Sequence, residues 1–323
     1  MDQHFVTRFY LEGFCDPITP ARHEPSVWEC DLPEGTIKRR APKNVATEAD
    51  YYSVTDESGN PDHWAERLLS EVESAAAPVV RKLRAGNLYL SWQEREWLAL
   101  FVAFLIVRVP SFRDYLERTA GKLGESMLRV SARRPTYFEE TMRKAVGELP
   151  ADEIEELRKL ALDPAKHFEI RGTREHSLGH ALRVAMKVVR LIHQMRWEFV
   201  VAKETCRFIT GDTPVTWRNP SVRPLGEGLG LKGTELSFPL SPSVCLVGTW
   251  IGKIGVSEAS DARVQDLNRE RVRQADRFVY ADSEASAREA LKEYAVLQEA
   301  GEAHARPFKF FIIEEGKIRG LSN

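Results

Sequence analysis

The sequence predicts an α+β protein: a helix-rich central bundle packed against a small, mostly antiparallel sheet built from an N-terminal hairpin and the C-terminal half. Three observations carry this expectation. From about residue 62 to 196 apolar residues step by three or four, the spacing of helices that bury one face. From Trp197 onward the pattern becomes short β-branched and aromatic runs separated by Gly and Pro, as strands and their turns require. Before residue 60 lies one alternating run, a turn and a second run, a β unit too small to be stable alone. That hairpin must therefore pack on the helices or pair with the later strands. The expected organisation is one intertwined domain over 1–323, with sub-regions 1–60, 61–196 and 197–323.

Taken in order, Val27 to Leu32 alternates, Pro33-Glu34-Gly35-Thr36 turns the chain, and Ile37 begins a partner strand. Asp62 is placed to cap a helix to about Leu83, whose apolar face carries Trp64, Leu68, Val72, Ala76, Val79 and Leu83. Ser91 with Glu94 forms a capping box, in which each side chain satisfies a backbone N–H left open at the helix start. The next helix runs through the apolar block Trp97 to Val107 until Pro110 closes it. That block is well short of the roughly 20 residues that span a bilayer, so it reads as a core helix. Further helices are expected near 110–132, 136–147, 151–161 and 175–195. Strands follow at Trp197 to Lys203, Cys206 to Thr210, Glu235 to Leu240 and Val244 to Ile251. A helix from Asp261 to Ala275 leads into a strand from Arg277 to Ala281, and Ser283 caps a last helix to about Glu299. Lys309 to Ile313 with Lys317-Ile318 suggests a closing hairpin, and Asn219 to Gly233 a mobile loop.

Composition narrows the function classes. An apolar fraction of 43% and a charged fraction of 29% fit a globular chain and exclude a fibrous or disordered one. A net charge of −2 supplies no global attraction to nucleic acid or membrane, so binding to either needs a local patch. Cys15, Cys30, Cys206 and Cys245 form no CxxC pair; they are expected to be small apolar side chains in a reducing compartment. The start Met1-Asp2-Gln3-His4 has no basic or apolar leader pattern, which points to a cytoplasmic protein. The sequence has no GxxxxGK[ST] phosphate loop, no GxGxxG dinucleotide turn following a strand, no GxSxG elbow and no HExxH.

The informative residues are polar ones on apolar faces. Arg108 follows the apolar block directly; a buried guanidinium cannot shed its proton and demands an anionic partner. Glu73 shares a helical face with Leu69, Ala76 and Val80, so a Glu73–Arg108 pair linking two helices is expected, either structural or presenting spare arginine donors to an anionic ligand. Asp212 sits in a turn before Thr213-Pro214, where a carboxylate caps backbone N–H groups or serves as base or metal ligand for Mg or Mn. His4 is flanked by the apolar anchors Phe5, Tyr10 and Leu11, and Asn268 faces inward with Val264, Val272 and Ala275. Together His4, Glu73, Arg108, Asp212 and Asn268 are the candidate catalytic set. Arg183, Lys187 and Arg190, with His180 and Gln194, form a polar stripe on one helix: a solvated face or a phosphate track. Arg171 and His176 have the Arg-x4-His spacing of some metal-independent ribonucleases, and Lys38-Arg39-Arg40 is a short basic run.

Several segments read in order resemble an uncharacterised bacterial family, domain of unknown function 4238. The opening His4-Phe5-Val6-Thr7-Arg8-Phe9-Tyr10-Leu11-Glu12-Gly13-Phe14 is similar to its His-x-Val-Pro-x-x-Tyr-Leu-x-x-Phe signature, with Thr7 where proline is usual. Lys43-Asn44-Val45 to Asp50-Tyr51-Tyr52, the helix ending Glu71-Val72-Glu73, Arg108 before Val109-Pro110, and Trp197 match further motifs. So do Gly211-Asp212-Thr213-Pro214-Val215, with glycine in place of a hydroxyl residue, Pro239-Leu240-Ser241-Pro242, and Asn268. The resemblance implies one conserved architecture and brings no established activity. Two functions stay open: a hydrolase acting on nucleic acid or nucleotide, conceivably in antiviral defence, and a non-catalytic binding protein whose polar cluster is structural. The partner in view is nucleic acid or nucleotide, with no membrane and room for a homo-oligomer.

Overall fold

The computed structural model describes residues 2–19, 23–49, 51, 54–55, 61–219, 228–303, 311–314 and 317–320. Positions 220–227 of the expected loop Asn219 to Gly233 lie outside these residues, as do 309–310 of the closing hairpin and Asp50 and Tyr52 of the family motif. The chain forms two compact units, Met1–Phe112 with Ala181–Ser322, and Arg113–His180. It begins with β1 (Asp2–His4), α1 (Arg8–Leu11), β2 (Val27–Asp31), β3 (Thr36–Arg40), β4 (Thr47–Ala49), β5 (Val54–Thr55), β6 (Pro61–Asp62), α2 (Trp64–Arg84) and α3 (Trp92–Val107). Then come α4 (Pro110–Ala132), α5 (Pro135–Val146), α6 (Ala151–Leu162) and α7 (Arg174–Gln194). The remainder is β7 (Arg196–Val201), β8 (Thr210–Gly211), β9 (Thr216–Arg218), β10 (Glu235–Ser241), β11 (Val244–Thr249), β12 (Gly255–Glu258), α8 (Asp261–Gln274), β13 (Phe278–Ala281), α9 (Glu284–Glu299), β14 (Phe311–Glu314) and β15 (Lys317–Gly320).

The fold is α+β, and the N-terminal hairpin does join the C-terminal half. Strands β3-β2-β13-β8 form a four-stranded antiparallel sheet in which Cys30 faces Val279 across the junction. Five further strands of the C-terminal half make a second sheet, β12-β7-β11-β10-β9, antiparallel except for the parallel β12–β7 pair, while β14 pairs with β15, β1 with β4 and β5 with β6. Helix α8 explains the division. It gives Val264 and Leu267 to a core with Val200, Phe208 and Val247 of the five-stranded side. Further along it gives Val272 to a core with Cys30, Val279, Ala287 and Leu297, which the following C-cap residue Ala275 joins. The second unit has its own small core of Ala132, Phe138, Ile154 and Ala161.

Local chemistry sets the helix boundaries. The Ser91 hydroxyl accepts from Glu94 N at 3.3 Å and Glu94 Oε2 accepts from Ser91 N at 2.8 Å, completing the capping box. α3 then buries residues from Leu98 to Val107 on all sides, as a core helix should. It ends at Val107 with Arg108 at its C-cap, before Pro110 as expected, and Pro110 opens α4, using the N-terminal helical position that tolerates a missing N–H. Asp62 does bond Trp64 N, at 3.0 Å. The expected strand Cys206 to Thr210 is reduced to Thr210–Gly211. Phe208 N donates to Pro242 O and Ile209 N to the Asn268 amide, so the backbone is satisfied without a ladder. Strands β9 and β12, which the sequence reading missed, are only three and four residues long.

Thr7 stands at the N-cap of α1 with φ −62° and makes no side-chain cap bond. That angle is the one a proline ring fixes. Thr7→Pro should raise stability by about 0.4–1 kcal/mol by restricting the unfolded chain, read as a higher denaturant midpoint with unchanged slope. Ser91→Ala should lower it by about 0.5–2 kcal/mol through loss of the cap, measured in the same way.

Candidate functional site

Three of the predicted residues meet. Arg108 is 6% exposed. Its Nη1 donates to Glu73 Oε1 at 2.5 Å and its Nη2 to the backbone oxygen of His4 at 2.5 Å. The Arg108 backbone oxygen in turn accepts from the Tyr51 hydroxyl at 2.8 Å. The guanidinium therefore ties α2, the end of α3 and β1 together, and the Tyr51 ring packs at a tilt against Phe5, 5.9 Å between centroids. The His4 side chain is half-buried. Burial, aided by the Arg108 charge, lowers its pKa below the ordinary 6.5, so the imidazole is neutral at neutral pH. Next to it Phe5 N bonds Ala46 O, and Ala46 holds φ +52°, a value unusual for a residue with a side chain.

The other two serve backbone. Asp212 Oδ1 accepts from Asp276 N at 2.8 Å, and Oδ2 accepts from Arg277 N at 2.6 Å and Phe278 N at 2.7 Å. The carboxylate thus caps the start of β13, while Asp212 N returns a bond to Phe278 O. Gly211, where the family pattern carries a hydroxyl residue, lets the strands close: an added Cβ would lie 2.9 Å from Phe278 O. Asn268 donates from Nδ2 to Arg207 O at 2.9 Å and accepts from Ile209 N at 3.1 Å, clamping the stretch that failed to form a ladder. Among the described residues no group of three or more His, Cys, Asp or Glu side chains is arranged to hold a metal ion.

The basic stripe lies on the surface. Arg183, Lys187 and Arg190 are exposed on α7, together with Met186 and Gln194. Beyond the helix end, Arg95 donates to His193 O and Met195 O and lies 4.0 Å over the Trp197 ring, so the family tryptophan is a packing residue. Trp92 is 68% exposed, and its ring meets His193 edge-on at 6.1 Å. Arg171 is exposed and paired with Glu169, and His176 is exposed beside His180. In the early hairpin, Arg39 pairs with Asp16 and Arg40 with Glu29. Cys30, Cys206 and Cys245 are buried and Cys15 half-buried. Burial pushes the Cys15 thiol up to about 11 and that of Cys245 to about 12, which makes them poor nucleophiles.

Two arginines escaped the sequence reading. Arg84 donates to Phe9 O at 3.0 Å, Tyr10 O at 2.6 Å and Leu240 O at 2.6 Å; burial pulls its pKa down to about 10. Arg271, 2% exposed, donates to Pro214 O at 2.8 Å, Thr216 Oγ1 at 2.9 Å and Ser237 Oγ at 3.2 Å. Both were signalled, because Arg84 falls four residues after Val80 and Arg271 four after Leu267, each on an apolar stripe. Tyr10, fully buried, donates its hydroxyl to Pro239 O at 2.7 Å, shares a 2.7 Å bond with Thr210 Oγ1, and stacks on Phe238.

What the fold and these contacts define is an α+β protein whose opening segment is held in the core by arginines that end on main-chain oxygens. The chain belongs to a family described as protein of unknown function, domain of unknown function 4238, whose model matches residues 2–285. No curated protein and no solved structure matches it. No helix among the described residues is long and apolar enough to cross a membrane.

Removing Arg108 by Arg108→Ala should cost about 3–5 kcal/mol, because a partly buried carboxylate and a main-chain oxygen lose their partner; thermal unfolding measures it. Gly13→Ala should also destabilise, since the added Cβ would lie 2.1 Å from the Arg84 guanidinium carbon. His4 should titrate below 6.5 in a proton NMR experiment. Above that pH both folded and unfolded states hold neutral imidazole. As pH falls through 6.5 the unfolded state takes up the proton first, so stability drops, and His4→Gln should remove that share of the drop.

Proposed function

We propose that this protein is a non-catalytic binding protein for single-stranded nucleic acid, with the outward face of α7 as its docking surface. One observation carries the reading: an exposed row of cations, Arg183, Lys187 and Arg190, runs toward an exposed aromatic ring, Trp92 beside His193. Cations at helical spacing track a phosphate backbone, and an exposed indole offers a base a stacking surface. The net charge of −2 is no obstacle, since a local patch governs contact within a Debye length. In this reading the family signature maintains the fold. Asp212 and Asn268 give their polar atoms to main-chain groups, and Arg108 anchors β1. A cytoplasmic setting suits such a partner.

Fluorescence anisotropy with a labelled single-stranded oligonucleotide tests it. Replacing Arg183, Lys187 and Arg190 together by Glu should abolish binding and reduce the dependence of log K on log salt by about 2, from about 0.7 per lost phosphate contact. Trp92→Ala should weaken binding by about 1–3 kcal/mol. Unchanged affinity in both variants refutes the α7 surface.

A second reading has its own support. The neutral His4 imidazole beside the Glu73–Arg108 pair has the protonation state of a general base, and the guanidinium could stabilise phosphate charge. The protein would then be a nucleic-acid or nucleotide hydrolase, a role suited to bacterial defence. Cleavage of single-stranded substrate, assayed with and without Mg or Mn, that disappears in a folded His4→Gln variant would establish this reading. Binding without cleavage supports the first.

A further inference from the structure

A second feature of the first unit carries chemistry that neither the α7 face nor His4 uses. Helices α8 and α9 leave between them a cleft of about 60 Å³, floored in part by Ile209 and Val272. Arg207 lines it and is fixed twice. Its backbone is gripped by the Asn268 amide, through Arg207 O at 2.9 Å and Ile209 N at 3.1 Å. Its Nε donates at 3.3 Å to Asp282 Oδ2, whose side chain is only 7% exposed. That arrangement uses one edge of the guanidinium. Among the described residues its Nη1 and Nη2 atoms have no protein partner.

The other charges of the cleft sort in the same way. Arg269 is taken by Glu293 at 2.5 Å. Glu289 lines the cleft, and among the described residues no cation pairs with it. Of the lining charges, one guanidinium edge and one carboxylate are left open, in a cleft lined also by the apolar Ile209, Val272 and Ala290 and the polar Gln265 and Ser286. A simple anion would satisfy the fork and be repelled by Glu289; a simple cation would meet the reverse. A compact molecule with a carboxylate and an ammonium group matches both, since arginine forks take carboxylates in a bidentate manner.

We propose that this cleft binds a small α-amino acid as its zwitterion, with the carboxylate on the Nη1/Nη2 fork of Arg207 and the ammonium group facing Glu289. Asp282 orients the guanidinium while Asn268 holds the Arg207 backbone, and the limited volume suits glycine or alanine. The site is independent of the nucleic-acid surface, being built from other elements. Isothermal titration calorimetry of the whole protein with the common α-amino acids tests it, with acetate and methylammonium as the half-ligands. Saturable binding of glycine or alanine is expected, with far weaker binding of either half-ligand. Arg207→Lys keeps a charge for Asp282 but loses the fork, and Glu289→Gln keeps the shape but loses the charge. Each should weaken binding at least about tenfold, the loss of one charged pair, while melting as the wild type does. Three results overturn the proposal: no saturable binding of any amino acid to the wild type, undiminished affinity in Arg207→Lys, or acetate binding as tightly as glycine.

Discussion

A guanidinium removed from water must have its donors met, and in this protein the partners are largely main-chain oxygens. Arg84 ends on Phe9, Tyr10 and Leu240, Arg108 on His4, and Arg271 on Pro214 and Ser237. Desolvating each charge costs several kcal/mol, recovered only where charge-assisted bonds of about 1.5–3 kcal/mol apiece are complete. Each set of bonds joins segments far apart in sequence, so the requirement fixes the path of the N-terminal segment. Gly13 is part of the same constraint, because only a residue without Cβ leaves room for the Arg84 head.

Around that constraint the rest of the first unit is layered. Tyr10, held by Pro239 and Thr210, brings α1 against β10 through its stack on Phe238. Helix α8 supplies one core with Val264 and Leu267 and another with Val272 and Ala275, while Arg271 between them satisfies the oxygens of β9 and β10. Asp212 and Asn268 close the remaining gaps, one at the start of β13 and one beside Arg207. Motifs that read as chemistry in a linear sequence thus coincide with places where the backbone cannot bond to itself. Polar side chains are retained there because an unpaired buried N–H or C=O is costly.

Surface chemistry follows a different logic. On α7 the cations Arg183, Lys187 and Arg190 are exposed, as is Trp92. In the α8–α9 cleft Arg207, whose Nε goes to Asp282, lines the same space as Glu289. The first depends on helical periodicity alone, and the second on how two helices and a clamped loop converge.

Periodicity, capping and turn chemistry in the sequence determined the helices, since α2, α3, α8 and α9 are local structures whose caps and apolar stripes lie within a few residues of one another. They also determined that Glu73 and Arg108 would face inward, and the two do pair. The sequence marked Asp212 and Asn268 as unusual without saying whether their polar atoms would meet a ligand or backbone, because that depends on strands brought in from elsewhere in the chain. Short strands such as β9 and β12 carry too few residues for an alternating signal. The sorting of strands between the four-stranded and the five-stranded sheet, the burial of Arg84 and Arg271 on carbonyl oxygens, and the open fork of Arg207 were decided by tertiary structure. Each arises from groups distant in sequence, and only the folded chain sets which of them meet.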